Sequence, residues 1–149
     1  KLDVAAAGHY SAGEKTVDGL REVEEELGKK YSPKDLISLG RKINLSPDTY
    51  GNMRHNICDL YMVIDNSLLK TYKLQKLEVE AICVCPISEL IKVHTQKNYH
   101  FIASGIDNNR KVIKIRVSKD SFPYNWDNYH FKIALLAQRL IRGEKYLIY

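Results

Sequence analysis

The sequence has few cysteines, no long hydrophobic run and no block of basic residues, and each of these absences excludes a class of protein. Its three cysteines, Cys58, Cys83 and Cys85, form an odd number without CxxC spacing, so neither a disulfide framework nor a zinc knuckle is indicated. No apolar stretch approaches the roughly 20 residues that a membrane-spanning helix needs. These features favour a reducing, cytoplasmic setting without a membrane partner.

The charge distribution indicates what kind of partner to expect. The formal net charge is +5 and the lysines and arginines are scattered along the chain. A positive charge favours an anionic partner, but without a basic stripe a nucleic-acid groove is not expected. The 149 residues and the 44% hydrophobic content are typical of a single globular domain. A phosphorylated small molecule is therefore the expected partner.

Hydrophobic periodicity and turn residues predict the helices and strands. Thr16 as N-cap and Gly28 as C-terminal glycine delimit a helix over residues 16–27. Further helices are predicted at 87–94 and at 128–141, the latter capped by Asp127. Strands are predicted over residues 2–7, 36–45, 55–64, 78–85, 99–106 and 111–117. No internal repeat or inter-domain linker interrupts this pattern.

The helix predicted over residues 16–27 is amphipathic. Its apolar residues recur at helical spacing on the side that should face the core, namely Val17, Leu20, Val23 and Leu27. Glu22, Glu25 and Glu26 lie on the opposite side, because residues three and four apart are neighbours on a helix. Such a cluster is by itself most often a solvated helix face. Carboxylates this close nevertheless repel each other, and oxygen ligands suit Mg²⁺ or Mn²⁺.

A longer pattern extends from the preceding loop through this helix. The order is Gly8, Glu14, Arg21-Glu22, Val23, Glu25-Glu26 and Gly28. The chain therefore resembles the Nudix family, whose box reads Gly, five residues, Glu, seven residues, Arg-Glu, apolar, any, Glu-Glu, any, Gly, apolar. Agreement at so many fixed positions argues against a coincidentally acidic helix.

Two positions depart from that box. Only six residues separate Glu14 from Arg21 instead of seven, and Lys29 stands where the box ends on an apolar residue. The shortening lies before the carboxylate cluster, so it leaves the register from Arg21 to Gly28 unchanged. We therefore expect metal binding to survive, whereas the placement of Glu14 is left open.

The resemblance assigns roles by position in the box. It implies that Glu22, Glu25 and Glu26 bind Mg²⁺ or Mn²⁺, with the backbone carbonyl near Ala7 and Gly8 as an additional ligand. Arg21 is expected to orient the carboxylates, since its guanidinium pairs with carboxylate oxygens and stays charged. His9 and Glu14, ahead of the helix, are candidates for substrate binding.

The implied reaction is attack of water on the phosphorus of a diphosphate linkage. Metal ions would neutralise phosphate charge, lower the pKa of bound water and stabilise the leaving oxygen. A general base is also needed, and it comes either from the box or from a carboxylate outside it. Glu78 and Glu80 precede a predicted strand that could face the helix, and of the two we favour Glu78.

Two alternatives remain beside the hydrolase. The stretch from Glu78 to Leu90 resembles the later strand and following helix of the family as a whole. The isopentenyl-diphosphate isomerase-like branch of the family is resembled more specifically by Ser121-Phe122-Pro123 and residues 129–137. The isomerases carry a catalytic cysteine before a Gly-His pair, but here Ala7 precedes Gly8-His9, and alanine cannot transfer a proton. The second alternative, a ligand-sensing module without catalysis, is expected to lose a ligand carboxylate, and none is missing.

The resemblance also implies a fold. It is an α/β/α sandwich with a mixed β-sheet, formed by residues 1–149 as a single domain. Members normally have strands ahead of the box, whereas only seven residues precede Gly8. We therefore expect an N-terminal segment beyond this chain. The substrate's identity and the oligomeric state, including a homodimer, are left open.

Overall fold

Helices and strands alternate along the chain. The computed structural model describes residues 1–10, 13–47, 50–123 and 127–149. The elements within them are α1 (Thr16–Leu27), β1 (Ile37–Pro47), β2 (Met53–Met62), β3 (Ala81–Val84), α2 (Ile87–Thr95), β4 (His100–Asp107), β5 (Val112–Ser118) and α3 (Tyr129–Ile141). Short 3-10 turns lie at Pro33–Asp35, Leu69–Thr71 and Lys119–Ser121. The predicted α/β class is confirmed, as are the helices at 16–27, 87–94 and 128–141 within a residue or so.

The strands form two antiparallel sheets. β1 and β2 pair as a hairpin, from Ile37 opposite Met62 to Pro47 opposite Met53. The other sheet has the order β3-β4-β5, with Ile82 opposite Ile106 and Ala103 opposite Ile115. The expected mixed sheet thus differs from the pairing within the described residues, where every ladder is antiparallel. The reason is connectivity, because β1–β2 and β4–β5 are hairpins and α2 returns the chain beside β3 in the opposite direction.

Each sheet has its own apolar cluster. One cluster joins α2 to the three-stranded sheet through four buried side chains, Val93, Ala103, Val117 and Phe122. The other joins β1 to α3 and the C-terminal tail through Leu39, Leu136 and Leu147. The backbone N–H of Tyr149 donates to the carbonyl of Leu39 at 2.8 Å and holds this tail along β1. No helix in the described part of the chain is long and apolar enough to cross a membrane.

The prediction of a strand over residues 2–7 is wrong. Apart from a bend at Ala5 these residues have no regular secondary structure, and most are exposed. Leu2 donates its backbone N–H to the carbonyl of Ser121 at 2.8 Å, while the N–H of Ala7 donates to the carboxylate of Glu26. The apolar pattern failed here because these backbone groups bind a loop and a side chain instead of a neighbouring strand.

Two predicted helix caps also differ from the structure. The N-cap of α1 is Lys15, one residue before Thr16, and its N–H donates to the carboxylate of Asp18 at 2.7 Å. The N-cap of α3 is Asn128. Asp127 is instead buried beside Lys42, with 3.7 Å between Asp127 Oδ1 and Lys42 Nζ, so an ion pair replaces the predicted cap.

Candidate active site

The loop before α1 packs closely against the acidic side of the helix. A Cβ atom added to Gly8 would lie 2.1 Å from Cγ and 2.7 Å from Cδ of Glu22. Real Cβ atoms never come this close to a carbon of another side chain, so only glycine fits between the loop and this carboxylate. Gly8 therefore allows the backbone of the loop to lie against the helix, where it faces the predicted ligands.

Arg21 links carboxylates from the loop and the helix. Its Nη2 atom donates to Glu22 Oε1 at 2.9 Å and lies 4.0 Å from Glu14 Oε1, while Nη1 lies 3.3 Å from both oxygens of Glu25. The predicted orienting role is consistent with these contacts. The shortened spacing after Glu14 does not remove that residue from the cluster, because Glu14 lies just before the helix and reaches Arg21 from the loop.

Glu26 is partly buried, and the charges of two other carboxylates act on it. Burial raises the pKa of Glu26 above its usual value, and the negative charges of Glu78 and Glu22 raise this pKa further. The N–H of Ala7 donates to the carboxylate and opposes the rise. Glu22, Glu26 and Glu78 are thus close enough for their charges to repel, and a bound cation would relieve that repulsion.

Glu78 is held near Glu26 by a turn that closes the C-terminal end of α1. The backbone N–H groups of Lys73 and Gln75 donate to the carbonyls of Leu27 and Glu26, both at 2.9 Å. Gln75 then accepts from the N–H of Glu78, through its side-chain oxygen at 2.8 Å. These contacts occupy carbonyls of the last helical turn that would otherwise lack partners. Glu78 follows this turn, and its charge acts on Glu26.

The predicted ligands do not all converge as they stand. No three side chains of histidine, cysteine, aspartate or glutamate in the described ranges are arranged so that they could hold one metal ion. One reason is that Arg21 occupies Glu25, since both oxygens of this carboxylate lie 3.3 Å from Arg21 Nη1. The donor chemistry nevertheless fits a hard divalent cation, because the side chains of Glu22 and Glu26 supply only oxygen.

Other residues of the box region lie outside this cluster. His9 is exposed in the loop, and no hydrogen bond or ion pair within the described ranges joins it to the carboxylates. Glu24 is paired with Lys30, at 2.8 Å between Oε1 and Nζ. Beside Arg21 the surface forms an open cleft of about 440 Å³, lined by Glu14, Asp18, Leu20, Arg21, Glu24, Lys30, Tyr31 and Pro33.

A group of polar residues lies at the C-terminal end of α1 and was not predicted from the sequence. In the sequence Lys29 stood out only as a departure from the box, and Asp65 did not stand out. In the structure they lie 3.6 Å apart, Lys29 Nζ from Asp65 Oδ2, with Tyr31 and Tyr72 both donating to Asp65. The one available signal was the lysine at an apolar position.

The chain is similar to an uncharacterized Nudix hydrolase of Clostridium acetobutylicum, with 31% identity over 141 residues that cover 91% of this chain and 67% of the relative. No family model matches the chain. No solved structure matches it either.

Proposed function

The chain belongs to the Nudix hydrolase family, and we propose that it is a metal-dependent hydrolase that cleaves a diphosphate linkage by attack of water on phosphorus. Family membership supports hydrolase activity in general. The finer proposal rests on one observation, the partial burial of Glu26 next to the Ala7–Gly8 loop, where the charges of Glu78 and Glu22 act on its carboxylate. We propose a phosphorylated small molecule of the nucleoside-diphosphate type as substrate and a cytoplasmic setting.

Glu22 and Glu26 would hold Mg²⁺ or Mn²⁺, together with a carbonyl of the Ala7–Gly8 loop. Glu25 would join them when its side chain, which is 51% exposed, turns away from Arg21. When bound, the metal would neutralise phosphate charge and lower the pKa of the attacking water. The charge repulsion at Glu26 supports this assignment, because carboxylates that are kept close have a reason to bind a cation.

Arg21 and Glu78 have separate tasks in this proposal. Arg21 pairs with Glu14 and Glu22 through its Nη2 atom and so links the loop to the helix. Glu78 stands outside the box, close to Glu26, and would accept the proton of the attacking water. Glu80 is the alternative base, but Glu78 is the one whose charge acts on Glu26.

The proposal is tested by incubating the protein with nucleoside diphosphate derivatives and dinucleotides in the presence of Mg²⁺ or Mn²⁺. We expect release of phosphate-containing products, measured by chromatography, and loss of this release when EDTA removes the metal. Substrates that bind without turnover across the panel would contradict the hydrolase and favour a ligand-sensing module. Isomerisation of an allylic diphosphate would contradict the argument from Ala7.

The base is tested by comparing Glu78→Gln with Glu80→Gln. Glu78→Gln should lower kcat about 100-fold, the lower end of what a general base contributes, because glutamine cannot accept the proton. Glu80→Gln is the matched control, since Glu80 is also exposed and lies only two positions along the chain. It should change kcat by no more than about twofold. Equal losses in the two variants would argue against Glu78 as the base.

A further inference from the structure

Lys29 occupies a polar site where the family's box has an apolar residue. Its side chain is 15% exposed, and its ammonium group lies 4.4 Å from the centre of the Tyr72 ring. The same group donates to Thr71 Oγ1 at 2.7 Å and to Ser67 Oγ. A lysine that is largely buried is stable only when its charge and its donors find partners. Here all of these partners come from the segment 65–72.

Asp65 is the anion at the centre of this arrangement. It accepts hydrogen bonds from Tyr31 Oη at 2.7 Å, Tyr72 Oη at 2.8 Å and the backbone N–H of Ser67 at 2.7 Å. Hydrogen bonds from Ser67 and Tyr31 hold the pKa of Asp65 well below its usual range, so it stays charged beside Lys29. We call Lys29, Tyr31, Asp65, Ser67, Thr71 and Tyr72 the Lys29 network.

The Lys29 network ends where the backbone contacts to α1 begin. Directly after Tyr72, the N–H of Lys73 donates to the carbonyl of Leu27. Gly28 makes this approach possible, because its φ is +64° and a Cβ atom there would lie 2.6 Å from Cβ of Lys73. Residues 65–72 are thus fastened to the helix end by side chains, and residues 73–75 by backbone hydrogen bonds.

Glu78 follows three residues after the fastened segment, residues 65–75. Gln75 donates to the carbonyl of Glu26 and accepts from Glu78, so any shift of residues 65–75 moves Glu78 relative to Glu26. We infer that Lys29 is a positioning residue, which anchors residues 65–75 on the end of α1 and thereby sets the position of Glu78 opposite Glu26. This inference rests on the proposed function only where it concerns rate.

The anchoring itself is tested without substrate or metal. In the full chain, Lys29→Met keeps the aliphatic stem and removes the charge and the donors. We expect the amide protons of Lys73 and Gln75 to exchange with solvent at least about tenfold faster, measured by NMR, while those of β4 are unchanged. Lys30→Met is the matched control, because Lys30 is 80% exposed and bonds only to Glu24 in the described structure. Unchanged exchange in Lys29→Met would overturn the inference.

The effect on rate is tested in a double-mutant cycle with Glu78→Gln. A displacement of about 1 Å in a catalytic group can cost on the order of 100-fold in rate, so Lys29→Met should lower kcat strongly and leave KM within about twofold. Because Lys29 acts through Glu78, adding Glu78→Gln to Lys29→Met should produce little further loss. If the double variant instead loses kcat by the product of the two single-variant losses, Lys29 has a purely structural role and the inference is overturned.

Milder variants separate positioning from loss of the fold. Thr71→Val removes one acceptor of Lys29 with little change in volume, and Lys29→Arg keeps the charge. Thr71→Val should give a smaller increase in exchange at Lys73 and Gln75, and Lys29→Arg should restore part of the lost kcat. No increase in Thr71→Val would count against the inference even if Lys29→Met failed to fold. If the wild type hydrolyses nothing, the proposed function fails. The exchange data still show whether Lys29 anchors residues 65–75 on the end of α1.

Discussion

Replacing Glu26 by glutamine should lower kcat on the order of 1,000-fold, equivalent to about 4 kcal/mol of transition-state stabilisation. Burial and the charges of Glu78 and Glu22 disfavour the ionised form of Glu26, and the proposed cation would balance its charge. Glutamine keeps the size of the side chain and an oxygen that accepts from the N–H of Ala7. The fold should therefore persist, and its melting temperature should be unchanged or higher, because one repulsive charge is gone.

Steady-state kinetics with Mg²⁺ and a thermal melt measure the two effects together. Glu24→Gln is the matched control, since Glu24 is on the same helix, is 48% exposed and pairs with Lys30. It should keep kcat within about twofold, as surface substitutions usually do. A Glu26→Gln protein with wild-type kcat would remove Glu26 from the proposed ligands. A Glu26→Gln protein that loses both activity and thermal stability would show that Glu26 has a structural role instead.

Lys42→Met should destabilise the protein by about 3–5 kcal/mol, because it leaves Asp127 charged and buried without its cation. Lys42 and Asp127 are 8% and 6% exposed, and the Lys42 ammonium also lies 4.0 Å from the centre of the Tyr129 ring. Asp127 Oδ1 accepts no hydrogen bond within the described residues, while the other oxygen accepts from Tyr149 at 2.6 Å. At roughly 2–4 °C per kcal/mol for a chain of this size, the melting temperature should fall by about 10 °C.

The neighbouring residue offers a control for this result. Arg41→Met breaks an ion pair with Asp59 in which the arginine is 64% exposed, and surface pairs contribute only about 0–1 kcal/mol. Adding Asp127→Asn to Lys42→Met should recover part of the loss, since no buried charge then remains. A Lys42→Met protein as stable as Arg41→Met would show that the buried pair contributes no more than an exposed one.

The pH dependence of the melting temperature should differ between the wild type and the Lys42→Met protein in a defined direction. Burial alone would raise the pKa of Asp127, but the hydrogen bond from Tyr149 and the charges of Lys42 and, after it, Lys132 outweigh burial, so this pKa is lowered. In the wild type the ionised Asp127 therefore stabilises the fold at pH values above its unfolded pKa, and this contribution is lost as the pH falls through the folded pKa. Without Lys42, burial favours protonation, and the difference in melting temperature should shrink toward pH 4.

Local patterns were sufficient for the acidic helix. The interval from Arg21 to Gly28 lies within one helix and its cap, so helical periodicity alone placed the carboxylates on one side and the glycine at the end. The strand prediction over residues 2–7 used a similar local pattern and was wrong. The difference is that a helix satisfies its own backbone hydrogen bonds, whereas a strand needs a neighbour that only the tertiary structure provides.

The sequence by itself thus determined the family resemblance, the α/β class and the helix that carries Glu22, Glu25 and Glu26, because these depend on residue types at short, regular spacings. The tertiary structure decided that Glu25 pairs with Arg21, that the charge of Glu78 acts on Glu26, and that Asp127 pairs with Lys42 instead of capping α3. It also showed that Lys29, which replaces the apolar residue at the end of the box, lies at the centre of a polar network. Each of these depends on contacts between residues far apart in the chain, where burial and charge compensation choose partners that spacing does not encode.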